Sequence, residues 1–290
     1  MTDAKMIEAV VSAVLAELQK GGAGSVPPSA PSQVAQSGKS LPDITSPEMR
    51  GEPLLKAEDE EGLRRMMSRT SARIGVGRAG TRLKTQTLLT LRADHAAARD
   101  AVFLDVDQGM LDRLGLFTIT TKCADRNQHL TRPDLGRDFP PESLEELKKR
   151  CTPGADVVIY AADGLSSRAL EANLPDLLPP LMEGLKSRGI SVGTPFFVKY
   201  GRVASMEHIA QALGCKVVCV LIGERPGLGS AESMSAYLAY NARVGMPEAD
   251  RTVVSNIYSG GIAAVEAGAY LAELIARILE QKVSGVNLKK

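Results

Sequence analysis

Val217-Val218-Cys219-Val220-Leu221-Ile222 runs directly into Gly223-Glu224-Arg225-Pro226-Gly227-Leu228-Gly229. An unbroken apolar run of this length, mostly β-branched, suits a strand buried on both faces, because a strand with one wet face alternates instead. The glycines end the strand and let backbone come close to whatever lies beyond it. Two similar units lie upstream. Val192-Gly193-Thr194-Pro195-Phe196-Phe197-Val198 leads into Lys199-Tyr200-Gly201-Arg202-Val203, and Val157-Val158-Ile159-Tyr160-Ala161-Ala162 leads into Asp163-Gly164-Leu165-Ser166. Helical patterns fill the gaps at 167–188 and 205–213; the first is expected to break at Pro175 and again at Pro179-Pro180, where the ladder loses donors. Residues 234–240 and 253–257 read as further strands and 262–281 as a long terminal helix. Strands alternating with helices predict an α/β fold with a doubly wound, mostly parallel sheet in the C-terminal half.

In such a sheet, ligands bind beyond the carboxyl ends of the strands, since helices cover both faces. The three loops beginning at Asp163, Tyr200 and Glu224 therefore define a candidate binding edge. Each also has an ordinary explanation. Asp163 suits a helix N-cap, Arg202 a surface charge, and Glu224 with Arg225 a solvated ion pair worth about 0–1 kcal/mol. Their convergence on one edge favours a site, and periodicity alone reaches only as far as a ligand with a nucleotide-like portion.

The N-terminal half is less regular. Ile7, Val10, Val11, Val14, Leu15 and Leu18 form a helical stripe within residues 3–20, and residues 21–53 are rich in Gly, Ser, Pro, Ala and Gln. Together they read as an amphipathic helix on a flexible tether, either a docking tag or a helix folded back on the body. A charged helix is expected from about 54 to 73. Gly75-Val76-Gly77-Arg78-Ala79-Gly80 matches G-x-G-x-x-G, but no buried strand precedes it and no helix opens at its last glycine, so it is no dinucleotide fingerprint. It remains a basic loop, with Arg73, Arg78, Arg82 and Lys84, that either grips an anion or acidic partner surface or is simply solvated. A helix is expected over 85–100. Phe117-Thr118-Ile119-Thr120 and Asn127 to Pro133 suggest a strand or two in a small helical and mixed subdomain, and 141–151 a helix entered through Pro140-Pro141. The expected division is 1–20, 21–53, 54–152 and 153–290.

Composition removes several function classes. A formal net charge of +1 gives no case for nucleic acid or an anionic membrane surface. No apolar run approaches the roughly 20 residues that span a bilayer, and the N-terminus lacks the features of a secretory signal, so a cytosolic protein is expected. Cys215 and Cys219 flank a strand, where residues four apart sit about 13 Å from each other, too far to close on one zinc. These two are read as buried, unliganded thiols, and with Cys123 and Cys151 the four cysteines are too few and too scattered for a disulfide scaffold. His95, His129 and His208 have no second ligand at metal spacing.

The loops carry a family resemblance. Gly77-Arg78-Ala79-Gly80 with Arg82 and Thr85, Leu130-Thr131-Arg132-Pro133-Asp134, Asp163-Gly164-Leu165-Ser166 and Leu178-Pro179-Pro180-Leu181-Met182 resemble the small subunit of ethanolamine ammonia-lyase. So do the segments at 192–198, Tyr200-Gly201-Arg202-Val203, Gly223 to Gly229 and Glu248-Ala249-Asp250-Arg251-Thr252. The similarity covers roughly residues 70–288. It implies a Rossmann-like domain that closes over adenosylcobalamin opposite a barrel-type large subunit, in the conversion of ethanolamine to acetaldehyde and ammonia. It implies cofactor contacts at Val203, Glu224 and Val253, with Arg202 near a phosphate or propionamide. Some relatives carry cysteine at the position of Val253, so a backbone or apolar contact is expected there. Absence of an Asp-x-His-x-x-Gly motif implies that the cofactor keeps its own base on cobalt. Residues 3–20 resemble the tags that bring cargo enzymes to a bacterial microcompartment shell. The competing readings are a non-catalytic scaffold and a stand-alone nucleotide-dependent oxidoreductase.

Overall fold

The computed structural model describes residues 56–70 and 72–289. The expected helix at 3–20 and tether at 21–53 lie outside the described residues.

Helix α1 spans Glu60–Met67, with Asp59 capping it through a 2.7 Å bond from the Gly62 amide. It is shorter than the 54–73 expected. The basic glycine loop folds into a two-stranded antiparallel hairpin, β1 (Arg78–Ala79) and β2 (Arg82–Leu83), and leads into helix α2 (Thr85–Phe103). A short helix α3 (Gln108–Arg113) precedes strand β3 (Phe117–Thr120). Residues 126–131 are helical (α4, Arg126–Thr131), correcting the extended segment expected there. Asp125 explains the difference: its carboxylate accepts from the Gln128 amide at 2.8 Å and starts a helix that alternation alone does not reveal. Helix α5 follows (Pro141–Arg150).

From here strands and helices alternate: β4 (Val157–Ala162), α6 (Ser167–Ser187), β5 (Phe196–Lys199), α7 (Ser205–Leu213) and β6 (Val217–Gly223). Then β7 (Met234–Tyr240), β8 (Thr252–Ile257) and the terminal helix α8 (Ala264–Gln281) complete the chain. Six strands form one sheet in the order β3-β5-β4-β6-β7-β8. The first four run parallel, whereas β7 is antiparallel to both β6 and β8. The sheet is thus mostly parallel, with a meander added at one edge. Its other edge, β3, comes from the segment expected to form a separate subdomain.

Helices pack on both faces of the parallel part of the sheet. One carries Leu170, Leu174, Leu177, Leu181 and Leu185 of α6 with Leu271, Ile275 and Ile278 of α8, all fully buried. The opposite face packs Met206, Ile209 and Leu213 of α7 and Leu147 of α5 against Val158, Tyr160, Val218 and Val220. Helix α6 is continuous through Pro175, Pro179 and Pro180, where breaks were expected. The carbonyls that the prolines leave without partners belong to Glu171, Pro175 and Asp176, which are exposed or half-exposed, so water can satisfy them. The leucine stripe on the opposite side supplies the packing that holds the helix together. All four cysteines are free and buried, and burial pushes the Cys215 thiol up to about 11 and the Cys219 thiol up to about 12.

Candidate functional site

The loops after β4 and β6 meet directly. The Leu165 amide donates to the Gly223 carbonyl at 3.0 Å. A Cβ on Gly223 would lie 2.1 Å from the Ser166 carbonyl oxygen, and one on Gly164, whose φ is +55°, only 2.4 Å from the Gly223 carbonyl. Only glycine fits at either position. The backbones of these two loops therefore pack against each other at the carboxyl ends of β4 and β6. Ser166, not Asp163, caps α6: its hydroxyl accepts from the Ala169 amide at 3.1 Å and donates to the Ala231 carbonyl at 2.6 Å.

Asp163 is buried and does different work. Its carboxylate accepts from Arg126 at 2.9 Å and from the Gly201 amide at 3.1 Å. Burial raises its pKa to about 6, against the opposing pull of the Arg126 guanidinium and the Gly201 amide. Arg126 also reaches Asp105 at 2.8 Å and lies over the Tyr200 ring, while Lys199 bonds the same Asp105. Together these contacts fix the loop after β5, where Tyr200 adopts a φ of 60°. On the other side the Thr121 hydroxyl donates to the Tyr200 carbonyl at 3.1 Å, and the Arg202 amide donates to the Gly136 carbonyl at 2.9 Å. Arg202 itself turns inward: its half-buried guanidinium donates to the His129 carbonyl, and burial lowers its pKa. His129 is wholly buried, with Nε2 2.5 Å from the Gly164 carbonyl, so it donates there as the neutral ring. Burial brings its pKa down to about 4.

Beyond α7 the sheet continues as β7 and β8; among the described residues no helix packs on the α7 side of these two strands, though Ser235 and Ala239 there are buried. Tyr237 pairs with Val220 on one side and Val253 on the other, which puts their side chains on the α7 side of the sheet. Tyr237 is half-buried and Val253 is 45% exposed. Burial raises the pKa of the Tyr237 phenol, with Glu224 adding to the rise and Arg251 opposing it. Glu224 is half-buried at the head of β7 and β8. It accepts from Ser233 at 2.7 Å, from Ser235, and from the Asn256 amide at 3.3 Å. It is therefore held by three groups rather than paired with Arg225. Below it Arg251 and Glu207 form a buried ion pair at 2.5 Å, with the Gly245 amide on the second Glu207 oxygen at 2.7 Å. Val203 is half-buried at the start of α7 and packs on the same side. The β5 loop stands two strands from β6, about 10 Å by ordinary strand spacing.

Glu224 and Val253 thus share the β6–β8 end of one face, with Val203 at its α7 border. Arg202 points away into the loop. Sequence reasoning did not single out Ser233, Ser235, Tyr237 or Asn256. The period-two pair Ser233 and Ser235 opposite Glu224 was readable in principle; the Glu207–Arg251 pair, 44 residues apart, was not. Among the described residues no cluster of three His, Cys, Asp or Glu side chains could hold a metal ion.

Residues 60–289 match the model of the family described as ethanolamine ammonia-lyase light chain (EutC). The chain belongs to this family. Ethanolamine ammonia-lyase small subunits are similar to it: the one from Clostridium tetani is 55% identical over 86% of this chain and 85% of its own length. Those from Clostridioides difficile, 47% identical over 98% and 97%, and Listeria monocytogenes, 46% identical over 98% of both, align over nearly the whole chain. The ethanolamine ammonia-lyase light-chain match takes in the three loops, the Glu207–Arg251 pair and the partly exposed β7–β8 edge. Among the described residues no helix is long and apolar enough to cross a membrane.

Proposed function

We propose that this chain is the small subunit of an adenosylcobalamin-dependent ethanolamine ammonia-lyase. It closes the cofactor side of an active site whose substrate-binding part lies in a large subunit, and the holoenzyme converts ethanolamine to acetaldehyde and ammonia. The observation that carries this reading is the partly exposed β7–β8 edge of the sheet, with Glu224 half-buried at its head and Val253 and half-buried Tyr237 on its surface. The donor set there suits a corrin: Glu224 is a fixed acceptor for peripheral amide or hydroxyl donors, while Val203 and Val253 offer apolar surface to its methyl-bearing edge. When bound, adenosylcobalamin supplies radicals by homolysis of its cobalt–carbon bond. The chain's own residues bind, orient and exclude water. Ser233, Ser235 and the Asn256 amide aim the Glu224 carboxylate, and the Asp163–Gly201 bond fixes the loop that carries Val203. His129 is committed to Gly164, in keeping with a cofactor that keeps its own base on cobalt.

The test is reconstitution with the large subunit, ethanolamine and adenosylcobalamin, with acetaldehyde release measured. Activity is expected only in the mixture. Glu224→Gln removes one charge-assisted acceptor at nearly constant shape, so the apparent KM for adenosylcobalamin should rise about tenfold, the equivalent of about 1.4 kcal/mol. Activity from the chain alone, or a cofactor KM unmoved by the substitution, would overturn the reading. We further assign residues 3–20 to docking on a microcompartment shell in the bacterial cytoplasm; deleting them should abolish encapsulation while leaving reconstituted activity intact.

A further inference from the structure

Helix α2 is built inside out. Its buried inward positions are Thr87, Asp94, Ala98 and Ala101, with Leu91 half-buried on the same face, while Leu88 and Leu89 are exposed at 38% and 46%. A helix that served only this chain's core would bury its leucines and leave threonine and aspartate to water. Phe103 and Leu104, at and just past its end, are also exposed. The surrounding charge is one-sided. From Gly62 in α1 to the end of α2 at Phe103 there are nine basic side chains and two acids, Asp94 and Asp100, in a chain whose formal net charge is only +1. Asp94 is buried and bonded to Arg73 at 2.6 Å, which leaves exposed Asp100, near the end of α2, as the acid set against the basic residues of the outer face. Arg65, Arg69, Arg78, Arg82, Arg92 and Arg99 are all exposed.

We infer that the outer face of α2, with the β1–β2 hairpin, is a docking surface for an acidic protein surface that has apolar pockets for Leu88 and Leu89. Identifying that partner as the large subunit rests on the function proposed above. Two features favour protein over nucleic acid. Leucines lie among the arginines, and the outer face of α2 offers no aromatic platform before Phe103 for stacking bases. The surface is also joined to the candidate cofactor edge, since Arg73 donates to the Leu228 carbonyl at 2.9 Å, within the glycine loop that begins with Glu224. A single partner can therefore cover both. Arginines around apolar anchors are the usual composition of a central interface patch.

The experiment measures assembly of the full chain with the large subunit by sedimentation, at low and moderate salt. Leu88→Asp with Leu89→Asp should weaken assembly at least tenfold, and Arg78→Glu with Arg82→Glu should weaken it and flatten its salt dependence. Both pairs alter exposed residues, and thermal unfolding of each variant alone should match the parent. Undiminished assembly of correctly folded variants would overturn the inference and leave the functional reading standing. Failure of the parent to assemble would overturn both. Salt-dependent self-association of the chain alone, abolished by Leu88→Asp, would assign the face to a second copy and overturn the inference. So would capture of a labelled oligonucleotide lost in Arg78→Glu.

Discussion

At the scale of single residues, His129 gives the sharpest pH signature. Its ring is buried and neutral in the native state, with a pKa lowered to about 4, while an unfolded chain binds the proton near 6.5. Between those values the unfolded state holds more protons, so stability rises with pH through that window. It is complete above about pH 6.5 and falls as pH drops toward 4, by about 3 kcal/mol in all. Denaturant midpoints at pH 7 and pH 4.5 should differ accordingly, and in His129→Gln, which keeps a donor for Gly164, the difference should shrink. Residue-scale chemistry was legible only where a residue stood in a marked setting. Glu224 sat in a glycine loop after a buried strand and could be picked out. Asp163 could not be told from an ordinary cap, because its partners Arg126 and Gly201 are remote in sequence and no local pattern joins them. Arg202 stood in a marked loop too, yet its inward turn depends on the His129 carbonyl 73 residues away.

At the scale of elements, boundaries followed from local chemistry and exceptions followed from packing. Strands β4 and β6 begin where the apolar runs begin, because a strand buried on both faces leaves an uninterrupted signal. Helix α6 departs from the propensity of its own prolines because its leucines are buried on one side while the missing bonds face water on the other. Helix α4 departs in the opposite sense, a cap overriding weak alternation. Ser166 tests how much a single cap contributes. Its hydroxyl both starts α6 and ties it to the Ala231 carbonyl. Ser166→Ala should cost about 1–2 kcal/mol in chemical denaturation. Serine-to-threonine at the same position retains the hydroxyl and should recover most of that.

At the scale of the whole molecule, the sequence pattern reached the α/β class, the mostly parallel sheet and the edge on which its loops gather. It did not reach the strand order. Nothing local says that β3 joins β5, or that β7 and β8 extend the sheet beyond β6 in antiparallel fashion, since pairing between distant segments is settled by which apolar faces remain uncovered. The inverted α2 shows the same limit from the other side: its leucines and arginines were visible in the sequence, but which of them pointed outward was not.

The antiparallel meander has a consequence in time. Its three strands lie within one uninterrupted run, 217–257, so their mutual contacts close short loops, whereas β3, ending at Thr120, must find β5, beginning at Phe196, across the 75 residues between them. Local pairings of that kind ordinarily form faster than remote parallel ones. As the chain leaves the ribosome, Glu224 with its three supports emerges after β4 is already available as a template for β6. The face proposed for the cofactor therefore needs few remote contacts once it emerges, and it can take shape before β3 has found its place at the far edge.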